Sequence, residues 1–333
     1  MKYYFAPMEG ITGYIYRNVH HRHFPEIDRY YMPFISAHVS HSMKHKEKED
    51  IRPANNAGLF AVPQVLTKSA EDFAWTVREL HDLGYREVNL NLGCPSPTVT
   101  TKGRGAAFLG RPEELREFFS QSFELIGKDT PDMIISVKTR LGTEDPDEIY
   151  DLVRLYNEFP ICEVIIHART LLEMYDGEAH AEVFASVLPE SVHPLVYNGS
   201  IYHSDEASRL EERFKGASAM MIGRGLLRNP ALVREIKGGK RLQMSELALF
   251  HNDLFEAYRE VLPGPKPVLA RMKELWWYMS MLFEDREWVL KKVRRAKTLT
   301  DMGIVSERIF AEQQFADVRG NVWTDCARIS RLQ

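Results

Sequence analysis

Short apolar segments with a strand-like pattern recur along the first two thirds of the chain, and turn residues and a helical pattern follow them. The eight strand-like segments are residues 3–8, 30–34, 60–66, 87–92, 133–139, 163–167, 194–198 and 217–222. Amphipathic helical patterns cover residues 69–83, 112–126, 146–158 and 204–214. Eight strands alternating with helices every roughly 30 residues are typical of a (β/α)8 TIM barrel. The sequence therefore predicts this α/β fold, with a doubly wound open sheet as the alternative.

Residues with chemically useful side chains fall at the carboxyl ends of these strands. They are Met8, Gln64, Asn91, Cys94, Lys138, Arg140, His167, Arg169, Asn198, Gly223 and Arg224. In a barrel all the carboxyl ends surround one opening, so residues far apart in the chain meet in one site. This distribution favours the barrel over the open sheet and predicts an active site at that opening.

The pattern changes after about Met244, where strand-like segments stop and apolar residues recur three and four positions apart. Helices are predicted over residues 244–261, 267–282, 285–299 and 306–315, with Gly303 separating the last two. We therefore divide the chain into a catalytic barrel (residues 1–240), a small helical bundle (244–315) and a loosely ordered tail (316–333).

The composition is that of an ordinary soluble globular protein, with 44% hydrophobic and 27% charged residues. No apolar run approaches the roughly 20 residues needed to span a bilayer, and the first residues do not resemble an export signal. The three cysteines are too few for a disulfide framework, so we expect a cytoplasmic protein without a membrane partner. The net charge of −4 excludes a uniformly basic surface, but not a local basic face such as residues 291–297.

Residues 86–107 contain the most informative stretch of the sequence. Val88, Leu90 and Leu92 alternate with Asn89 and Asn91, which predicts a strand. Asparagine is a poor strand former, so something other than strand propensity accounts for these two. A thiol follows at Cys94, between Gly93 and Pro95, where the backbone must turn. Such a thiol could act as a proton donor or nucleophile, and a buried structural cysteine is the alternative.

The last two predicted strands end in a pattern that suits a phosphate group. Asn198 and Gly199 follow the seventh strand, and Gly223 and Arg224 follow the eighth. Phosphate sites in barrels are frequently built from the loops after these two strands, and a guanidinium can bind a phosphate through two hydrogen bonds. The alternative is a pair of glycine turns beside a surface arginine.

Three further side chains suit a flat, charged cofactor. Lys138 lies on an apolar strand, where a cation is costly unless it is paired, and it could stabilise a reduced flavin. Gln64 could hydrogen-bond the edge of a flavin ring. His167 ends an apolar run and belongs either to this site or to the core.

Several short motifs, in order along the chain, resemble those of the tRNA-dihydrouridine synthase family. They are Ala6-Pro7-Met8, Pro63-Gln64, Asn89 to Pro95, Lys138-Thr139-Arg140, His167-Ala168-Arg169, Asn198-Gly199 and Gly223-Arg224. The resemblance implies a barrel that binds FMN, with NADPH (or NADH) as reductant and tRNA as substrate. It implies that reduced FMN passes hydride to C6 of a uridine and that Cys94 protonates C5.

The same resemblance assigns residues to each role. It implies FMN contacts for Pro7, Met8, Gln64, Lys138, His167, Asn198, Gly199, Gly223 and Arg224. It places Asn91 and Arg169 near the substrate base and the helical bundle against tRNA. Lys291, Lys292, Arg294 and Arg295 are then candidates for binding tRNA phosphates, with a solvated helix face as the alternative.

The sequence departs from the family pattern at Glu9, at Gly13 and at Ser200, where the family more often has a small residue and two aspartates. His38, His41 and His45 have a helical spacing, but no Cys or Glu pattern completes a metal site, so no metal is predicted.

We expect a monomer. An FMN-dependent barrel oxidoreductase acting on a free pyrimidine, similar to dihydroorotate dehydrogenase, is the alternative enzyme. An RNA-binding protein that has lost turnover is the alternative outside enzymes.

Overall fold

The computed structural model describes residues 1–36 and 41–316. Ten parallel strands within these residues form one sheet. The strands are β1 (Lys2–Phe5), β2 (Arg29–Tyr31), β3 (Ile35–Ser36), β4 (Ala61–Val62), β5 (Gln64–Leu66), β6 (Glu87–Leu92), β7 (Ile134–Arg140), β8 (Ile161–His167), β9 (Leu195–Asn198) and β10 (Ala219–Ile222).

The sheet closes on itself as a barrel of eight strands, because two of the eight are each broken into two pieces. Residues 32–34 separate β2 from β3, and Pro63, which has no N–H for a sheet hydrogen bond, separates β4 from β5. β2 pairs with β4, β3 pairs with β5, and the first strand β1 pairs with the last, β10. The predicted (β/α)8 barrel is confirmed, and each of the eight predicted strands overlaps an observed one.

Helices surround the barrel and continue beyond its last strand. They are α1 (Tyr14–His23), α2 (His45–Ile51), α3 (Ala70–Asp82), α4 (Pro97–Thr100), α5 (Pro112–Asp129), α6 (Glu148–Tyr156), α7 (Ala181–Val187), α8 (Ser204–Arg213), α9 (Arg224–Arg228), α10 (Leu232–Ile236), α11 (Met244–Val261), α12 (Pro265–Met279), α13 (Arg286–Arg295) and α14 (Leu299–Glu312). Short 3-10 turns occupy Pro53–Asn56, Gly105–Phe108, Leu188–Glu190 and Ser280–Leu282.

Side chains alternate between the two faces of the barrel wall, as the period of two in each strand requires. Val88, Leu90 and Leu92 of β6 pack outward in the large core shared with the helices. Asn89 and Asn91 therefore point into the barrel, which explains why two asparagines stand in a strand. A separate apolar cluster fills part of the barrel interior and comprises Tyr4, Ala6, Tyr31, Val62, Ile165, Val196, Ala219 and Met221.

The helices after residue 244 pack against the barrel through aromatic side chains. Phe250 of α11 meets Tyr16 and Phe24 edge-on, with ring centroids 5.9 and 5.5 Å apart. Among the described residues no helix is long and apolar enough to cross a membrane. The prediction for the tail concerns residues that, apart from Ala316, lie outside the described ranges.

One predicted helix boundary is wrong. Gly303 does not separate two helices but lies inside α14, which begins at Leu299. The Thr298 hydroxyl accepts the Asp301 N–H at 3.0 Å, and the Asp301 carboxylate accepts the Thr298 N–H at 3.0 Å. This capping box starts the helix early, and the packing of the following turns tolerates one interior glycine.

Candidate active site

The barrel mouth, where the strands end, gathers the predicted cofactor residues and the two residues predicted to border the substrate base from separate parts of the chain. Asn91 pairs in register with Lys138, and His167 pairs with both Arg140 and Asn198. The pattern of inward-pointing residues aims these side chains at the barrel interior. Four neighbouring strands, β6 to β9, therefore supply one continuous polar wall.

Cys94 sits on the turn that follows β6, and hydrogen bonds fix its backbone. The Asn91 carboxamide oxygen accepts the N–H groups of Gly93 at 3.1 Å and of Cys94 at 2.9 Å. The Cys94 carbonyl accepts the Ala106 N–H at 3.1 Å. Burial raises the pKa of the Cys94 thiol, so the sulfur holds its proton near neutral pH. A protonated thiol in a fixed position can donate a proton.

Cations surround this thiol. Burial, and secondly the nearby Arg140 guanidinium, lower the pKa of Lys138 to about 7. The Lys138 side chain makes no hydrogen bond or ion pair within the described part of the chain, and neither does the Arg224 side chain. A cluster of cations without carboxylate partners suits an anionic ligand, because the ligand would relieve their mutual repulsion.

Two buried arginines hold the loop between β8 and α7 over the mouth. Arg140 donates to the Gly93, Thr170 and Met174 carbonyls at 2.8, 2.7 and 2.7 Å. Met174 has a left-handed backbone, with φ of 51°. Such a conformation is costly for a residue with a side chain, and the arginine contacts help to maintain it.

Arg169 holds the same loop from the next strand. It donates to the Asp176 and Gly177 carbonyls at 3.1 and 2.7 Å and to the Ser200 hydroxyl at 2.8 Å. Its remaining amino group lies 3.2 Å from His167 Nε2. Burial, followed by the charge of Arg140, lowers the pKa of His167 well below its usual value, so this imidazole is neutral. Ser200, which departs from the family pattern, thus contacts Arg169.

Tyr175 also lies at the mouth, although no sequence pattern predicts it there. Its ring centroid lies 5.3 Å from the Arg140 guanidinium, 5.5 Å from that of Arg224 and 6.0 Å from the His167 ring. It therefore joins the thiol side of the mouth to the side with the predicted phosphate site. No motif marks it, because it reaches the mouth through the fold of a loop rather than at a strand end.

The residues predicted for phosphate binding lie where β1, β9 and β10 end. The Asn198 amide donates to the Met221 carbonyl at 2.8 Å, which ties β9 to β10 at the mouth. A Cβ atom at Gly223 would lie 3.3 Å from the Met8 sulfur, so the predicted residues Pro7 and Met8 at the end of β1 border the same space. Arg224 follows directly, and its guanidinium lies 5.7 Å from the Tyr202 ring.

Comparison with known proteins identifies the family of this chain. Residues 4–313 match the family described as dihydrouridine synthase. The chain belongs to this family. It is 30% identical over 265 residues to a "Probable tRNA-dihydrouridine synthase" of Staphylococcus epidermidis, a match covering 76% of this chain and 77% of that protein. It is 27% identical to the "tRNA-dihydrouridine(16) synthase" of Neisseria meningitidis, covering 88% and 90% of the two chains.

Solved structures show the same fold at low sequence identity. Morphinone reductase, 11% identical, superposes with a TM-score of 0.51 over 73% of this chain and 87% of its own. Histamine dehydrogenase from Rhizobium sp. 4-9, 13% identical, has a TM-score of 0.53 over 77% of this chain and 49% of its own. Membership of the dihydrouridine synthase family confirms the prediction of an enzyme, and of the flavin-dependent oxidoreductase class.

The predicted tRNA-binding cations of this family member lie on α13 and not among the strand ends. Lys291, Arg294 and Arg295 are exposed, and the Lys292 ammonium lies 5.3 Å from the centre of the Trp288 ring. None of the ion pairs within residues 1–36 and 41–316 involves these four cations. They form a basic face with an adjacent aromatic ring.

No cluster of three or more His, Cys, Asp or Glu side chains that could hold a metal occurs in the described ranges. His38, the first of the three spaced histidines, lies outside them, while the His41 ring stacks on Trp75 with centroids 5.0 Å apart.

Proposed function

We propose that this protein is a tRNA-dihydrouridine synthase that uses FMN and NADPH to reduce the C5=C6 bond of uridines in tRNA. The observation that carries the proposal is the placement of the Cys94 thiol beside Lys138 and Arg140, two cations without a carboxylate partner in the described ranges. The family match and the names of the relatives support the choice of substrate.

The mouth has the side chains that FMN requires. The Lys138 and Arg224 side chains have no carboxylate partner among the described residues, as expected for cations that meet a reduced ring and a phosphate. The proposed FMN contacts are Pro7, Met8, Gln64, Lys138, His167, Asn198, Gly199, Gly223 and Arg224. When bound and reduced, FMN supplies the hydride that C6 of the uracil accepts.

Cys94 completes the reaction on the other carbon. Addition of hydride at C6 leaves a pair of electrons shared between C5 and the neighbouring carbonyl oxygen. The thiol gives its proton to C5, so an S–H bond breaks as the C5–H bond forms, and water later reprotonates the sulfur. Asn91 and Arg169 would border the base. The raised pKa of Cys94 suits this role, because an ionised sulfur has no proton to donate.

A uridine in folded RNA must leave its stack to reach the mouth. We propose that residues 244–315 act as the tRNA-binding domain, with Lys291, Lys292, Arg294 and Arg295 against phosphates. Trp288, beside Lys292, would add a stacking surface.

Mass spectrometry of tRNA tests the activity. An unmodified tRNA transcript incubated with the protein, FMN and NADPH should gain about 2 Da at specific uridines, the mass of the two hydrogens added to the double bond. Free uridine in the same assay should stay unreduced. Reduction of free uridine without reduction of tRNA would favour the small-molecule oxidoreductase instead, and reduction of neither would overturn the proposal.

A salt titration tests the RNA surface. Changing the four α13 cations to Gln should weaken tRNA binding and lower the slope of log affinity against log salt by up to about 4, since each phosphate contact contributes about 0.9. A matched control removes four cations that lie near the other end of the barrel, Arg78, Arg86, Lys128 and Lys215. Equal slopes for the two variants would place the RNA surface elsewhere.

A further inference from the structure

A continuous line of hydrogen bonds runs inside the barrel from its floor to the Cys94 turn. The floor is the end of the barrel where the strands begin, and Glu87, the first residue of β6, lies there. We call its five members, Glu87, Ser136, Asn89, Gln64 and Asn91, the buried amide chain. Ser136 Oγ donates to Glu87 at 3.1 Å and accepts from the Asn89 amide at 3.0 Å. Asn89 accepts from Gln64 at 2.7 Å, and Gln64 accepts from Asn91 at 2.7 Å. All five residues are buried.

The direction of these bonds follows from the residue at the floor. The Glu87 carboxylate, paired with Arg29 at 3.1 Å, only accepts hydrogen bonds. Ser136 must therefore donate downward, so its oxygen accepts from the NH2 group of Asn89. The Asn89 oxygen is then left to accept from Gln64, and the Gln64 oxygen to accept from Asn91. Each amide is held in one of its two possible orientations.

The buried amide chain ends at Asn91, beside the turn that carries the Cys94 thiol. With its NH2 group committed to Gln64, Asn91 turns its oxygen toward the N–H groups of Gly93 and Cys94. Reversing any amide in the chain would leave two acceptors or two donors facing each other inside the barrel, which is costly in a buried site.

We infer that Asn89 is a positioning residue that holds the Cys94 turn through Gln64 and Asn91. Neither the Asn89 side chain nor Ser136 contacts the thiol, and both act through the buried amide chain. The value of a fixed Cys94 for proton transfer rests on the proposed function, but the mechanical coupling does not. This coupling accounts for the inward-facing asparagine at the middle of β6.

Amide hydrogen exchange tests the coupling without any assay of activity. Asn89→Leu keeps the number of side-chain heavy atoms and removes both side-chain hydrogen bonds of Asn89, so the Gly93 and Cys94 amides should exchange at least tenfold faster. Thr139→Val is the matched control, because Thr139 is equally buried on the adjacent strand but bonds Tyr156 instead of the chain. It should leave exchange at Gly93 and Cys94 within twofold of the parent.

A second measurement follows the thiol itself. In protein carrying Cys162→Ala and Cys326→Ala, iodoacetamide can modify only Cys94, and Asn89→Leu should change its alkylation rate at least threefold. In turnover, kcat should fall at least tenfold while KM for tRNA stays within twofold, because α13 is unchanged. Should Asn89→Leu fail to fold, Ser136→Ala, which removes one hydroxyl, should give the same changes in smaller degree.

Unchanged exchange and alkylation in both variants would overturn the inference, whatever the enzyme reduces. Faster exchange in a protein that never reduces tRNA would support the coupling and overturn the proposed function alone. A rise in exchange that Thr139→Val reproduces would show general loosening of the barrel and would also overturn the inference.

Discussion

The two ends of the barrel interior differ in how their charged side chains are paired. At the floor, Glu163 accepts hydrogen bonds from the Tyr4 and Tyr31 hydroxyls at 3.1 and 3.3 Å and from Ser218 at 3.1 Å. Arg29 lies between Glu163 and Glu87 at 3.7 and 3.1 Å. At the mouth, Lys138 and Arg224 have no such partners in the described part of the chain.

This difference separates stability from function. Partnered charges at the floor close the barrel and cannot respond to a ligand without losing their own contacts. Cations without carboxylate partners at the mouth, such as Lys138 and Arg140, repel one another, and a ligand of negative charge relieves that cost. The comparison therefore predicts that floor substitutions change unfolding, whereas mouth substitutions change binding and turnover.

Substitution of Cys94 should have the largest effect on dihydrouridine formation and should not change the stability of the fold. Cys94→Ala removes the proposed acid and should lower dihydrouridine formation about a thousandfold, within the range for a lost general acid. Mass spectrometry of the tRNA product measures this change. FMN binding should remain, because the thiol is not among the proposed FMN contacts.

The unfolding midpoint in urea should stay close to that of the parent, since the Cys94 side chain is only half-buried. Dihydrouridine formation at the parental rate would show that another group protonates C5.

Substitution of Glu163 should give the opposite result. Glu163→Leu removes the carboxylate that accepts from the buried Tyr4 and Tyr31 hydroxyls and leaves Arg29 with one carboxylate fewer, whereas Ser218 keeps the Leu195 carbonyl as an acceptor. Breaking such a buried network should lower the free energy of unfolding by about 3 kcal/mol, measured in urea. The exposed Glu212, changed to Leu, is the matched control.

Turnover per folded Glu163→Leu molecule should match that of the parent. A large loss of turnover with unchanged stability would contradict the division between floor and mouth.

The sequence predicted the barrel because its strands obey a strong local rule. Val88, Leu90 and Leu92 alternate with inward residues on β6, and the other strands follow similar patterns. It also placed Cys94 and Lys138 near each other, because both follow or lie on strands that end at one mouth.

Contacts between residues far apart in the sequence could not be predicted from its local patterns. Tyr175 enters the mouth only because Arg140 and Arg169 bind loop carbonyls, and no sequence spacing encodes such contacts. The same holds for Asn89, whose side-chain partners Gln64 and Ser136 come from two other strands, β5 and β7. The predicted helix break at Gly303 is wrong because packing and a capping box outweigh the modest cost of one glycine inside a helix.

The affinity for FMN should depend on pH through Lys138. Its pKa lies at about 7 without ligand, and an anionic ligand nearby should raise that pKa. Binding then takes up a proton above pH 7, so affinity should fall as pH rises from 7 to 9, by up to about tenfold per unit. Fluorescence titration of FMN at several pH values measures this slope.

Lys138→Met should bind FMN more weakly near pH 7 and show a flatter profile. An unchanged slope in this variant would assign the titration to another group.

The smallest expected effect is that of Lys138 on the stability of the unliganded protein. FMN affinity should fall as pH rises, whereas this stability should increase. The folded pKa of about 7 lies below the ordinary value of 10.5, so the unfolded chain binds more protons between these two values. Stability should therefore rise with pH across this window. Lys138→Met should be more stable than the parent by about 1 kcal/mol near pH 7, a typical cost for an unpaired polar group, and by less as pH approaches 10. Urea unfolding at both pH values measures the gain. A gain that grew with pH would mean that Lys138 is stabilised as a cation by the fold itself, and the mouth would then resemble the floor.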